Sequence, residues 1–225
     1  MTKNNKLFVY GLLTISVLFW TALSDAWGYS EHLFTGLPNA WNQYIYGYIS
    51  RLIWVMPFLL LIVRDKHNGI ISSKEIFGFH FHWKSFLMVF ALSTIYVLSR
   101  MIFIHGGWWI NPNIILGQEL SKFLIVGFVE ELVYRGFGLN MLSKFASGAT
   151  ANIVSSLFFA AVHIPAYFIH WYCDGMFSLT EMITQAITVF IFGLIFGMMF
   201  RKSKSIWSSA IIHFWYDFIF VLFIG

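Results

Sequence analysis

Seven stretches of this chain are long and apolar, and most of its charged residues fall between them. The apolar runs are residues 7–23, 45–63, 85–104, 114–134, 149–169, 182–200 and 206–224. A helix that crosses a bilayer needs about 20 mostly apolar residues. The pattern therefore predicts an all-α fold, a polytopic transmembrane helical bundle of about seven spans. The runs differ in purity. The fifth and sixth hold no Asp, Glu, Lys or Arg. The second holds Arg51 and Pro57, and the third Arg100. The fourth carries Glu119, Lys122, Glu130 and Glu131, and the seventh carries His213 and Asp217. The first follows Lys3 and Lys6 as a signal peptide would. It is longer than a usual signal core and no small-residue cleavage site follows it, so it reads as a retained helix.

Composition supports a membrane chain. Hydrophobic residues make up 59% and charged residues only 11%. An ordinary soluble domain is nearer a quarter charged, and a disordered chain is less apolar still. A net charge of +4 would fit an anionic partner such as nucleic acid, but the positions of the cations exclude that reading. With the N-terminus in the cytoplasm, Lys3, Lys6, Arg64, Lys66, Lys74, Lys84, Arg135, Lys144, Arg201, Lys202 and Lys204 all fall on the cytoplasmic side. Such asymmetry is the rule for cytoplasmic loops. Arg51 and Arg100 read as snorkelling toward the outer headgroups. His80 and His82 sit in a basic loop and read as solvated. The single cysteine, Cys173, excludes an internal disulfide and any cysteine-rich metal site. Gly193 and Gly197 form a G-x-x-x-G that permits close helix approach. Residues 137–146 mix apolar and polar positions and read as a short amphipathic helix along the inner interface.

Ionisable groups inside a membrane are expensive, and by default they are candidates for function. The first concentration is Glu130, Glu131 and Arg135. Glu131 and Arg135 are four apart and can pair on one helix face. Glu130 points about 100° away, toward another neighbour, where a desolvated carboxylate suits a general base. The bland alternative is a cap at the membrane boundary. The second candidate is His163, followed by Pro165, which loosens the local backbone. The third is His213 with Asp217, again four apart. Three readings fit that pair: a carboxylate orienting an imidazole, two metal ligands on one helix, or a buried structural hydrogen bond. From the inner membrane surface Glu130 lies shallower than the histidines, unless its helix continues inward past Arg135. Taken together, two carboxylates and two imidazoles on three helices suit activation of water and stabilisation of an oxyanion. No H-E-x-x-H, G-x-S-x-G or G-x-G-D occurs, which removes the zincin, serine-elbow and intramembrane aspartyl alternatives.

These segments resemble the CPBP (Abi) family of intramembrane proteases, which includes the type II CAAX prenyl endopeptidases. The family pattern E-E-x-x-x-R, F-x-x-x-H and H-x-x-x-N/D reads here as Glu130-Glu131 to Arg135, Phe159 to His163, and His213 to Asp217. The resemblance divides the chain into N-terminal transmembrane helices and loops, residues 1–113, and a catalytic helical core, residues 114–225. It implies a membrane-embedded endopeptidase acting on a membrane-associated peptide or protein. Glu130 would activate the water with His163 assisting, and Glu131 and Arg135 would form a supporting ion pair. His213 and Asp217 would stabilise the oxyanion or contribute to a metal site. For a metal, the implied ligands are His163, His213 and Glu130, and zinc suits such mixed ligation. Asp217 departs from the Asn of the CAAX enzymes: an ionised Asp accepts hydrogen bonds and cannot donate one. The expected partners are the substrate and the lipid bilayer, with no nucleic acid, and the expected location is the bacterial plasma membrane. Two rival readings stand beside this one. One is a non-catalytic protein of bacteriocin self-immunity or regulation. The other is a small transporter, for which the broken helices and inverted repeats of that class are not evident.

Overall fold

The computed structural model describes residues 39–64, 69–173, 175 and 178–225. The expected first span, residues 7–23, lies outside them, as do Lys3, Lys6 and Lys66. Every regular element among the described residues is helical. In chain order these are α1 (Asn39–Arg64), α2 (Ser73–Ile76), α3 (Trp83–His105) and α4 (Leu116–Glu131). A π-helix, π1 (Leu132–Leu139), follows α4 directly, then α5 (Asn140–Leu142), α6 (Gly148–Ala161), α7 (Ile164–Tyr172), α8 (Leu179–Ser203) and α9 (Ile206–Phe223). The chain divides into two compact units, Met1–Trp54 with Ile153–Leu194, and Val55–Asn152 with Ile195–Gly225.

Among the described residues, four helical segments are long and apolar enough to cross a membrane: Trp83–His105, Gly148–Tyr172, Leu179–Ser203 and Ile206–Phe223. Their surfaces are those of lipid-facing helices. In α3 the buried positions are Ser85, Ser93, Val97 and Met101, recurring on one face, whereas Leu87, Met88, Leu92, Ile95, Ile102 and Phe103 are exposed. In water that arrangement would be inverted. In lipid, tails are as apolar as leucine, and small or polar residues mark the helix contacts instead. The contact of α3 with α9 follows this rule. Trp215 Nε1 donates to Thr94 Oγ1 at 2.8 Å, and the Trp215 ring stacks on Phe90 at 4.8 Å. Arg100, near the end of α3, lies over the Phe220 ring at 5.5 Å.

The larger unit is built around α4 and α9. Gly127 makes the close approach: a Cβ there would stand 3.0 Å from the Ala210 carbonyl oxygen and 3.0 Å from the Phe214 nitrogen. The turn between α8 and α9 is short. Lys204 takes a left-handed φ of 59°, and the Ser205 side chain caps α9 by accepting from the Trp207 N–H. Buried Ser203 satisfies this turn with its hydroxyl against the Met199 and Ser205 carbonyls and Ser208 Oγ.

Residues 137–146, expected as a short amphipathic helix, start on buried positions and end with Lys144 and Phe145 exposed. Phe137, Leu139, Asn140 and Met141 are buried, and the helical path runs on from α4 through π1 to α5 without a break. The reason is a set of partners that sequence periodicity does not reveal. Phe137 meets Phe58 of α1 edge-on at 5.1 Å. Asn140 clamps the backbone of Ile71, accepting from its N–H and donating to its carbonyl, both at 2.8 Å. The G-x-x-x-G of α8 behaves as expected, since Gly193 abuts Ser156 and Gly197 abuts Asn152. His80 and His82 are exposed, and His82 also caps α3 through Nδ1 and the Ser85 N–H at 3.4 Å.

Candidate active site

Five of the six expected site residues stand together in the larger unit, at the junction of α4, π1 and α9. Arg135 Nη1 donates to Glu131 Oε1 at 2.7 Å. His213 Nδ1 stands 3.3 Å from the same Glu131 oxygen. On the other side of the ring, His213 Nε2 lies 3.4 Å from Asp217 Oδ2 and 3.8 Å from Glu130 Oε2. One imidazole thus faces carboxylates through both nitrogens. The helix of Glu130 does continue past Arg135, as far as Leu142, so Glu130 belongs to the helix interior and not to its end.

Local structure explains the convergence. Glu131 closes α4 and Arg135 lies in π1. The i,i+4 spacing still brings them together, because the wider turn keeps residues four apart near one face. Segments of π-helix occur frequently at functional sites. On α9 the four-residue spacing places Asp217 one turn beyond His213. The close approach at Gly127 brings the two helices near enough for Glu130 and Glu131 to reach His213 across the seam.

Accessibility separates the two glutamates. The side chains of Glu131 and Arg135 are 0% and 1% exposed, whereas those of Glu130 and Asp217 are 13% and 23% exposed. Glu131 is sealed, with one oxygen committed to both Arg135 and His213. Its other oxygen, Oε2, is buried and has no hydrogen-bond partner among the described residues. A carboxylate there survives only because Arg135 and His213 surround it. Of the two adjacent glutamates, Glu130 is the one whose side chain keeps some exposed surface, although its Oε2 is buried.

His163 belongs to the other unit. It occupies the break between α6 and α7, where Pro165 sits in the first turn of α7 and sacrifices no needed N–H. Its Nδ1 is 2.7 Å from the Phe159 carbonyl oxygen. A carbonyl only accepts, so Nδ1 carries the proton, and in the neutral ring the lone pair lies on Nε2.

Two contributors escaped the sequence reading. Phe196, fully buried on α8, stacks on the His213 ring at 5.0 Å, and the Arg135 guanidinium lies over the Phe196 ring at 5.5 Å. Nothing distinguishes it from the other 25 of the chain's 26 phenylalanines in a linear reading. Gly127 is the second. A glycine three residues before a pair of membrane carboxylates was its signal.

Comparison with known families places this geometry. The family model described as type II CAAX prenyl endopeptidase Rce1-like matches residues 112–219. That range contains Glu130, Glu131, Arg135, His163, His213 and Asp217 in order. Residues 112–219 therefore match a protease domain of the CAAX type. The match implies a protease, and the apolar helices an integral membrane protein. No curated protein and no solved structure matches the chain.

The zinc set implied by the resemblance was His163, His213 and Glu130. Among the described residues, no three or more His, Cys, Asp or Glu side chains are arranged to hold a metal ion. The chemistry of the side chains is derived below without a metal.

Proposed function

We propose that this chain is a membrane-embedded endopeptidase in which Glu130 activates water against a peptide bond of a membrane-associated peptide or protein. The observation that carries the reading is the division of labour between adjacent glutamates. Glu131 is sealed and spent on Arg135 and His213, while the Glu130 side chain keeps 13% exposure and sets its buried Oε2 3.8 Å from His213 Nε2.

In the proposed reaction Glu130 takes a proton from water, and the hydroxide oxygen bonds to the scissile carbonyl carbon. The carbonyl π electrons move to its oxygen. His213 donates from Nε2 to that oxyanion, in place of its resting contact with Asp217. Glu130 then returns the proton to the amide nitrogen as the C–N bond breaks. A positioned base contributes about 10²–10⁴ in rate, and a single oxyanion donor about 10²–10³. Glu131 holds Nδ1, so the ring cannot turn away. For His163 we propose the assisting proton acceptor, through Nε2. The proposed location is the bacterial plasma membrane.

The test compares membrane-peptide fragments from cells expressing the wild type and Glu130→Gln at equal levels. Cleavage should fall by about 10²–10⁴ in the variant, with its melting temperature unchanged. Identical fragment profiles would sink the reading. Treating purified protein with a zinc chelator belongs to the same experiment. Unchanged cleavage supports chemistry by side chains alone, whereas a loss restored by zinc would assign His163, His213 and Glu130 to an ion.

A further inference from the structure

We propose that residues 69–84 form a preformed docking surface for anionic phospholipid headgroups. This segment lies where three membrane-crossing helices end together. Lys202, at the end of α8, donates from Nζ to Ser85 Oγ at the start of α3, at 3.1 Å. At the start of α9, Ser205 Oγ donates to the Gly78 carbonyl, and Trp207 Nε1 donates to the Phe77 carbonyl at 3.0 Å. The segment therefore sits at the edge of the apolar slab.

Its exposed face carries two chemistries. One is an aromatic run: Phe79 meets Phe81 at 4.7 Å, and Phe81 stacks on Trp83 at 4.9 Å. Phe79 is 67% exposed, and Trp83 and Ile70 are each 61% exposed. A soluble protein would rarely leave so much contiguous apolar surface open, but aromatic rings favour the headgroup level of a bilayer. The other chemistry is positive charge. Lys74, Lys84, Lys202 and Lys204 are exposed here. Glu75 is the sole acid in residues 69–86 and 201–207, and it is engaged by Ser72 and by Lys204 at 3.3 Å. Exposed aromatics beside four lysines and a single acid, which among the described residues pairs only with Lys204, are the complement of an anionic leaflet.

The surface is also rigid before any lipid arrives. Asn140 clamps Ile71 from two sides, and Ile76 is buried against Gly136 of π1. Little ordering is left for binding to oppose.

The test places the full chain in nanodiscs of phosphatidylcholine alone, or of phosphatidylcholine with a minority of phosphatidylglycerol. Amide hydrogen exchange is then followed in residues 69–84. Exchange should slow by about fivefold in the anionic discs. Inorganic phosphate added to the neutral discs should not reproduce this. The triple variant Lys74→Gln, Lys84→Gln, Lys204→Gln should lose the difference while α9 keeps its protection. Equal exchange of the wild type in both discs would overturn the proposal, as would full rescue by phosphate or an undiminished difference in the variant. If the variant does not fold, native mass spectrometry of the wild type decides. Preferential retention of phosphatidylglycerol supports the surface, and equal retention of both lipids refutes it.

Discussion

Removing a charge from water costs several kcal/mol even after the protein relaxes, and Glu131 and Arg135 are both sealed. Their 2.7 Å contact, with His213 as the second neighbour of Glu131, offsets that cost only while every member is present. Arg135→Gln leaves a buried carboxylate without its cation, and should destabilise the protein by about 3–5 kcal/mol. Arg135→Gln combined with Glu131→Gln should recover much of that loss, while activity stays low because Nδ1 of His213 is no longer held. Thermal melting of the single and double variants, read beside cleavage, checks both statements. At this scale the sequence was informative. The two i,i+4 pairs, Glu131 with Arg135 and His213 with Asp217, follow from spacing alone. That a single imidazole joins the pairs does not, because it depends on which helices meet.

Helices α4 and α9 meet at a glycine. Adding a methyl at Gly127 places a carbon 3.0 Å from α9 backbone atoms, which cannot swing aside as a side chain could. Gly127→Ala should therefore cost about 1–3 kcal/mol. It should also lower cleavage by more than that loss of folded protein explains, since it moves Glu130 and Glu131 from His213. Melting and specific activity, measured on one preparation, separate the two effects. The short helix α2 supplies a pH test. Hydrogen bonds from the Ser72 hydroxyl and N–H, then Lys204, hold the Glu75 carboxyl below its ordinary value of 4.5. A depressed carboxylate stabilises the fold fully above its unfolded pKa, and that contribution fades as pH falls through the folded value. Protection of α2 amides should drop on acidification below about 4.5 in the wild type, and show no such step in Glu75→Gln. The π-helix was illegible beforehand. In the sequence an apolar span ends at residue 134 and an amphipathic helix begins at 137, whereas the chain runs through both as one π-helix that packs against Phe58, Ile76 and Ile206.

For the molecule as a whole, membrane orientation is the testable property. Helix α8 has 25 residues, so it rises about 37 Å, enough for a hydrocarbon core of about 30 Å. Cys173 is exposed just ahead of α8, and Lys202 is exposed at its far end. A membrane-impermeant maleimide should label Cys173 in intact cells. In Cys173→Ser with Lys202→Cys, labelling should require permeabilised cells. Labelling of both from one side would refute the orientation drawn from the lysines.

The amino-acid order by itself determined the helical class, the apolar segments and the carboxylate and imidazole residues, because hydropathy and helical spacing are local properties. It also carried the family pattern. Tertiary structure decided which glutamate side chain keeps some exposed surface, since burial is a property of neighbours far apart in the chain. It decided that Phe196 supports the His213 ring, and that Phe137 and Asn140 pack against Phe58 and Ile71. Those outcomes depend on how α4, π1 and α9 pack, and packing distances are set by contacts, such as Gly127 against Ala210 and Phe214, that no local period encodes.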